Sequence, residues 1–255
     1  MCLALVALDA HPRLPLVIAA NRDEFHARGA APARWWPDGT LAGVDLEAGG
    51  TWFGLTRRGR WALVTNFREG IPRDPNAPSR GGLVTRALAD PAAPLACAAA
   101  IVADGERYHG FNLLVGDIAA AAYGSNRASG ALALDRGIHG LSNHLLDTPW
   151  PKLVRSKARL AACLAADEID IAALFALLAD RSQAEPAALP STGIAPEWER
   201  LLSSAFIVDA QYGTRCSTVL TIARDGAARF VERSFAPDGH PIGEVTETFA
   251  VAHAA

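Results

Sequence analysis

The chain has little of what would announce a cofactor, a metal or a polyanion. Its four cysteines, Cys2, Cys97, Cys163 and Cys216, lie far apart with no CxxC pair, which argues against a disulfide framework and a zinc knuckle. It lacks a phosphate-binding glycine loop and a dinucleotide fingerprint. Seven histidines are scattered, and the nearest two, His139 and His144, do not have the spacing of a helical ligand pair, so neither a metal nor a cofactor is expected. Basic runs are missing as well. Net charge is −3 with acids and bases mixed along the chain, which turns attention from nucleic acid to a small-molecule or protein partner. The longest uncharged stretch outside the expected strands, Pro91 to Ala103, falls short of the ~20 apolar residues of a membrane span. The opening residues carry no basic segment and meet Asp9 too soon for a signal peptide, so a cytoplasmic location is the expectation.

What is present suits one domain over residues 1–255. Half of the 255 residues are hydrophobic, enough for a sizeable core. Strand-length apolar runs come first: Leu3 to Leu8 and Leu16 to Ala20 around His11-Pro12-Arg13, then Thr51 to Thr56 and Arg60 to Asn66 around Arg57-Arg58-Gly59. Helical spacing follows at Gly81 to Ala89, with Ser79 as N-cap and Leu83, Val84, Ala87 and Leu88 on one face, and again at Pro94 to Ala103. Strands resume at Phe111 to Val115, Ala119 to Tyr123 and Ile138 to Ser142. Helices are expected at Lys152 to Ala166 and Asp170 to Leu178, and a proline-bounded loop at Pro186 to Pro196. The chain closes with Ala205 to Asp209, a hairpin of Thr218 to Ala223 and Arg229 to Phe235, and a last strand at Val245 to Val251. Strands at both ends with helices between favour α+β over an alternating parallel sheet.

Cys97 and Cys163 sit in Ala- and Leu-rich helical stretches and read as small core hydrophobes. Cys2 differs by position. A methionine before so small a residue is usually removed, leaving a thiol and a free α-amine on one residue. With reference pKa values of about 8.5 for the thiol and about 8 for the amine, the amine can act as base for its own nucleophile. In a short antiparallel hairpin the end of the second strand lies beside the start of the first, so Asn21-Arg22-Asp23-Glu24 is expected next to Cys2. A guanidinium there lowers a thiol pKa, and a carboxylate can orient the amine.

Beyond these, the chain carries Ala20-Asn21-Arg22-Asp23-Glu24-Phe25, Leu41-Ala42-Gly43-Val44-Asp45, Ala48-Gly49-Gly50-Thr51-Trp52-Phe53-Gly54 and Leu63-Val64-Thr65-Asn66-Phe67-Arg68. Further blocks are Ser79-Arg80-Gly81, Gly140-Leu141-Ser142-Asn143, Pro149-Trp150-Pro151-Lys152 and Tyr212-Gly213-Thr214-Arg215-Cys216-Ser217-Thr218. In this order they resemble the NRDE-motif family, also called the transport and Golgi organisation family. That resemblance implies the N-terminal-nucleophile hydrolase type of fold, a four-layer αββα sandwich. More distantly the chain is similar to the choloylglycine hydrolase and penicillin V acylase group. That similarity implies Cys2 as nucleophile, Arg22 and Asp23 as activating groups, Asn66 as oxyanion donor and Asn143 as a second site asparagine. Because the arginine and the acid are consecutive here, either Asp23 or Glu24 is left to face the amine. Asn21 and Glu24 join the substrate-binding set, as do Arg68 at the pocket mouth and Arg215 as the late arginine. Cys216 stands where the family usually has serine.

Gly49-Gly50 reads as a turn into Thr51, and the six tryptophans as core or pocket wall. Two functions fit the resemblance. One is an amidohydrolase cutting a linear amide or a thioester. The other is a non-catalytic carrier of a haem-like or acyl ligand, for which no CxxCH or Cys-Pro supplies an axial ligand.

Overall fold

The computed structural model describes residues 2–71 and 74–252, with Cys2 described by its backbone alone. The opening hairpin is a ribbon with two apolar faces. Strands β1 (Cys2–Leu8) and β2 (Leu16–Phe25) pair antiparallel, with Leu8 opposite Leu16 and Cys2 opposite Arg22. Leu3, Leu5, Ala7, Val17 and Ala19 face one way, and Ala4, Val6, Leu16 and Ile18 the other, the period of two of a pleated strand. Both faces are buried, which is why the two strands read as unbroken apolar runs.

Four more strands complete this sheet. β10 (Gly137–Leu141) flanks β1, while β11 (Tyr212–Ile222), β12 (Ala227–Phe235) and β13 (Pro241–Ala250) continue from β2, giving the order β10-β1-β2-β11-β12-β13. A second sheet is a seven-stranded meander in chain order: β3 (Ala30–Trp35), β4 (Thr40–Asp45), β5 (Phe53–Thr56), β6 (Trp61–Asn66), β7 (Phe111–Gly116), β8 (Ala121–Ser125) and β9 (Gly130–Ala133). The inner faces meet in a core that includes Trp61, Phe53, Leu63, Ile18, Leu220 and Phe230. Helices α1 (Gly81–Ala89) and α2 (Pro94–Ala103) cover the seven-stranded sheet. On the six-stranded sheet lie α3 (Pro151–Leu164) and α4 (Ile171–Leu178). The result is an α+β, four-layer αββα sandwich. A short α5 (Pro196–Leu201) packs at one end with Ile207 and Tyr212.

Where the structure departs from the sequence expectations, local hydrogen bonding explains it. β2 runs on to Phe25 because it is paired on both sides, with β1 as far as Arg22 and with β11 as far as Phe25. For the same reason β11 begins at Tyr212 rather than Thr218. Ala205 to Asp209 is not a strand; Thr214 Oγ1 accepts the Ile207 amide at 2.9 Å, and the Phe206 amide goes to Asp180 O. β8 starts at Ala121 because Asp117 Oδ1 accepts the amides of Ala119 and Ala120, making a turn. Pro196 opens α5 instead of closing a loop, as proline can at a first helical turn. Ser79 Oγ accepts the Gly81 amide at 3.3 Å, but Arg80 is the residue that precedes α1. The unread strand β3 contains Pro32, which an edge strand tolerates, and its register shifts between Ala31 and Arg34.

Two glycine motifs meet backbone to backbone. Gly49 turns the chain with φ 71°, and a Cβ on Gly50 would stand 2.7 Å from the carbonyl carbon of Gly81 at the start of α1. Gly50→Ala must push that helix start away. It is expected to cost about 2 kcal/mol, and thus to lower Tm by about 4–8 °C. Thermal or urea unfolding checks this, and a change below about 0.5 kcal/mol would remove the close approach as a constraint.

Candidate active site

Beyond Ala20, β2 exchanges apolar residues for polar ones, and strand alternation sends them to opposite faces. Asn21 turns to the helical layer. Its amide nitrogen donates to the carbonyls of Leu178 (2.9 Å) and Ala205 (2.7 Å), and its oxygen accepts Ser217 Oγ (2.6 Å). Asp23 lies on the same face, 1% exposed, and accepts Thr214 Oγ1 at 2.7 Å. Burial pushes its carboxyl up from the ordinary range, opposed by the charges of Lys152 and Arg22.

Arg22 turns the other way. Its guanidinium stacks 4.4 Å from the centroid of the Trp52 ring, and Nη2 donates to Asp45 Oδ2 at 3.0 Å. Nη1 is buried with no hydrogen-bond partner among the described residues. Asp45 also accepts Arg28 Nε at 2.7 Å, while its Oδ1 takes the amides of Glu47 and Ala48 at 3.1 Å. Burial would raise this carboxyl, but the Arg28 hydrogen bond, the Ala48 amide and the two guanidinium charges hold it below the usual range. Glu24 shares the Arg22 face. Burial alone would raise it too, and the Phe25 amide with the Arg22 and Arg28 charges holds it low.

Asn66 ends β6 across from this cluster, and its carbonyl accepts Asn143 Nδ2 at 2.9 Å. Asn143 is fully buried, and its own carbonyl accepts the Arg68 amide at 2.6 Å. Thr65 Oγ1 donates to Ser142 O at 2.7 Å, so residues 142–143 are fastened to the end of β6.

Two cavities open here. One, of about 360 Å³, is polar and is lined by Arg22, Glu24, Arg28, Asp45, Trp52, Asn66 and Arg80 among others. The other, of about 260 Å³, has Phe25, Ile194, Trp198, Leu202 and Tyr212 on its walls. Glu24 and Asn66 border both. Among the described residues, no group of three or more His, Cys, Asp and Glu side chains is placed to hold a metal ion. Likewise no helix is long and apolar enough to cross a membrane.

Of the residues singled out in the sequence, Arg22, Asp23, Glu24 and Asn66 all line the polar cavity. The backbone of Cys2 pairs with Arg22, and its thiol lies outside the described residues. Asn21 and Asn143 are instead committed to fastening the frame. Arg68 is not at a pocket mouth: it is buried in an ion pair with Glu199 and stacked 4.6 Å over Trp150, and burial lowers its pKa. Arg215 occupies a bulge between Thr214 and Cys216, which sends its guanidinium to the carbonyls of Phe25, His26 and Arg28. Cys216 is buried opposite Arg22, hydrogen-bonded to Glu232.

Sequence reasoning gave no role to Asp45, Lys152, Glu199 or Trp198. Asp45 and Lys152 were marked only as the last residues of two blocks shared with the family, and Asp45 also as a carboxylate closing a buried strand. Glu199 sits on a helix where charged residues are ordinary, and nothing local distinguishes it.

Residues 1–237 match the family described as Transport and Golgi organisation 2. The chain is 36% identical to the Transport and Golgi organization protein 2 homolog of Bos taurus and 34% identical to that of Homo sapiens, in each case over 92% of this chain and 93% of the relative. It is 28% identical to the Drosophila melanogaster protein, over 92% of each. Among solved structures it is similar to two variants of the conjugated bile acid hydrolase of Clostridium perfringens, with TM-score 0.49, 9% and 8% identity, and coverage of 100% of this chain and 99% of those.

Asp45 provides a test of the charge network. Its folded-state pKa lies below the unfolded value of about 3.9, so its ion pairs stabilise the fold above that pH and are lost as pH falls through the folded value. Asp45→Asn is therefore expected to cost about 2 kcal/mol at pH 7, with the deficit closing toward pH 3. Urea midpoints across that range check it. A deficit that stays constant with pH would mean packing, not charge, is what Asp45 provides.

Proposed function

The chain belongs to the Transport and Golgi organisation 2 family, and from its site we propose that it is an N-terminal cysteine amidohydrolase acting on a linear amide or a thioester. One observation carries this reading: the register that sets position 2 opposite Arg22, a residue that lines the polar cavity bordered also by Asn66.

In the proposed reaction, loss of Met1 frees the α-amine of Cys2, which takes the thiol proton. The thiolate forms a C–S bond to the substrate carbonyl carbon, and the electron pair moves to oxygen. Asn66 donates to that oxyanion, a contact needed most in the transition state. Collapse breaks the C–N bond, and the α-ammonium returns its proton to the departing amine. Water, deprotonated by the same amine, then cleaves the thioester and restores the thiol. Arg22, held by Asp45 and Trp52, stabilises the thiolate. Asp23 orients the amine from the helical face, and Asn143 acts through Asn66 by fixing its carbonyl. A cytoplasmic setting, which keeps a lone thiol reduced, belongs to this reading.

The apolar cavity favours a second reading, a carrier of an acyl or haem-like ligand without turnover. Intact-mass analysis and a screen of amides and thioesters separate the two. The hydrolase is expected to lack Met1, to lose turnover in Cys2→Ala, and to fall about 10²–10³-fold in kcat in Asn66→Ala. Turnover that survives Cys2→Ala, or full activity with Met1 in place, contradicts it. Tight binding without any consumption of ligand, unchanged in Cys2→Ala, establishes the carrier.

A further inference from the structure

Lys152 is a buried cation that the reaction set out above leaves unused. It is 1% exposed on the first turn of α3, where a lysine loses its hydration and meets the positive end of the helix dipole. The helix start is held in place around it. The Leu153 amide bonds the Trp150 carbonyl at 2.8 Å, and Leu153 shares an apolar cluster with Leu3 and Leu5 of β1. The void that Lys152 borders with Arg68 and Ser203 measures about 10 Å³, the room of a single water, so solvent screens its charge little.

A charge so placed requires an opposite one, and Asp23 is the carboxylate it acts on. Burial pushes that carboxyl up, while the Lys152 charge, the Thr214 hydrogen bond and the Arg22 charge draw it down. Among the described residues, the other cations acting on Asp23 are committed elsewhere. Arg22 donates to Asp45 on the opposite face of the sheet, and Arg68 is ion-paired to Glu199. His144, kept below its ordinary pKa by burial and by Arg68, adds no charge at neutral pH. From β11, Tyr212 donates its hydroxyl to the Asp23 backbone carbonyl. Lys152 is thus the cation left for the carboxylate.

This charge balance decides the state of the amine. Position 2 pairs with Arg22, one residue along β2 from Asp23. Beside Asp23 alone, an α-ammonium would become the counter-ion, and the base would be occupied by a proton. With Lys152 in that place, an ammonium would set a second cation beside one carboxylate where water screens neither, which favours the neutral amine. The neutral amine donates N–H to Asp23 and keeps its lone pair for the thiol proton. We infer that Lys152 is a positioning residue acting through Asp23: as the resident counter-ion of that carboxylate, it leaves the α-amine of Cys2 a free base. The use of that base rests on the amidohydrolase reading; its protonation state is measured without turnover.

The test uses the mature full-length protein labelled with ¹⁵N-cysteine. The α-amine nitrogen stands far in chemical shift from the amide nitrogens of Cys97, Cys163 and Cys216, so its titration is read directly. The wild-type midpoint is expected below the ordinary value of about 8. In Lys152→Met it should rise by about one pH unit, a tenfold gain in proton affinity. Lys152→Arg, which keeps the charge, should hold it low. A wild-type midpoint at or above about 8 overturns the inference. So do equal midpoints in wild type and Lys152→Met, or a rise as large in Lys152→Arg. Asp23→Asn serves should Lys152→Met fail to fold: the midpoint should drop when the carboxylate goes and the lysine stays, and a midpoint that rises or stays put overturns the inference. In an active enzyme the acid limb of kcat/KM follows the same shifts. Turnover whose acid limb is unmoved in Lys152→Met refutes the role of Lys152 alone. Midpoints that shift as expected in a protein that never turns over refute the hydrolase reading alone.

Discussion

Everything at the site depends on β2 being hydrogen-bonded along both edges. Because side chains alternate with a period of two, pairing with β1 and β11 leaves no freedom over which residue faces which layer. A slip of one residue would turn the Arg22 and Glu24 side chains toward the helical layer and those of Asn21 and Asp23 toward the other sheet. Asn21 guards against the slip. Its three short hydrogen bonds to Leu178, Ala205 and Ser217 can be made in one register only. The bulge at Arg215 then adjusts β11 so that Thr214 meets Asp23 and Cys216 meets Arg22. A polar segment at the end of an apolar strand is thereby sorted into a fastening face and a working face.

The working face is held by charge. Asp45 binds two arginines and two backbone amides at once, so Arg22 is fixed on Trp52 with one nitrogen uncommitted among the described residues. Burying Asp23 and the Arg68–Glu199 pair is expensive in a sandwich whose stability comes from three apolar cores. Such groups gain little stability from their pairing. Their return here is geometric: Arg68 and Glu199 tie α5 and its aromatic wall to the strand end that carries Asn66.

The first strand of the opening hairpin, the start of the second and helices α1 and α2 were legible in the sequence to within a residue, since apolar periodicity and flanking proline or glycine mark them, whereas the polar end of β2 from Asn21 to Phe25 was not read as strand. The neighbourhood of Arg22 and the N-terminal strand followed from hairpin geometry alone. What was not legible depends on contacts distant in sequence. Arg68 and Arg215 look like solvent-facing arginines until Glu199 and the 25–28 carbonyls are seen beside them. β4 was hidden by Gly43, whose small size is demanded by the Trp52 ring, 2.4 Å from where a Cβ would stand. Trp198 follows a proline-bounded loop in sequence, and only the fold brings it to Phe25.

The central claim is that the thiol at position 2 is activated by its neighbour across the ladder. The rate of its alkylation as a function of pH, in the mature protein and in Arg22→Gln, measures this most directly. The account predicts a wild-type midpoint well below the free-thiol value of about 8.5, moving up in the variant. A midpoint at or above 8.5 in the wild-type protein, unmoved by the loss of Arg22, would contradict it.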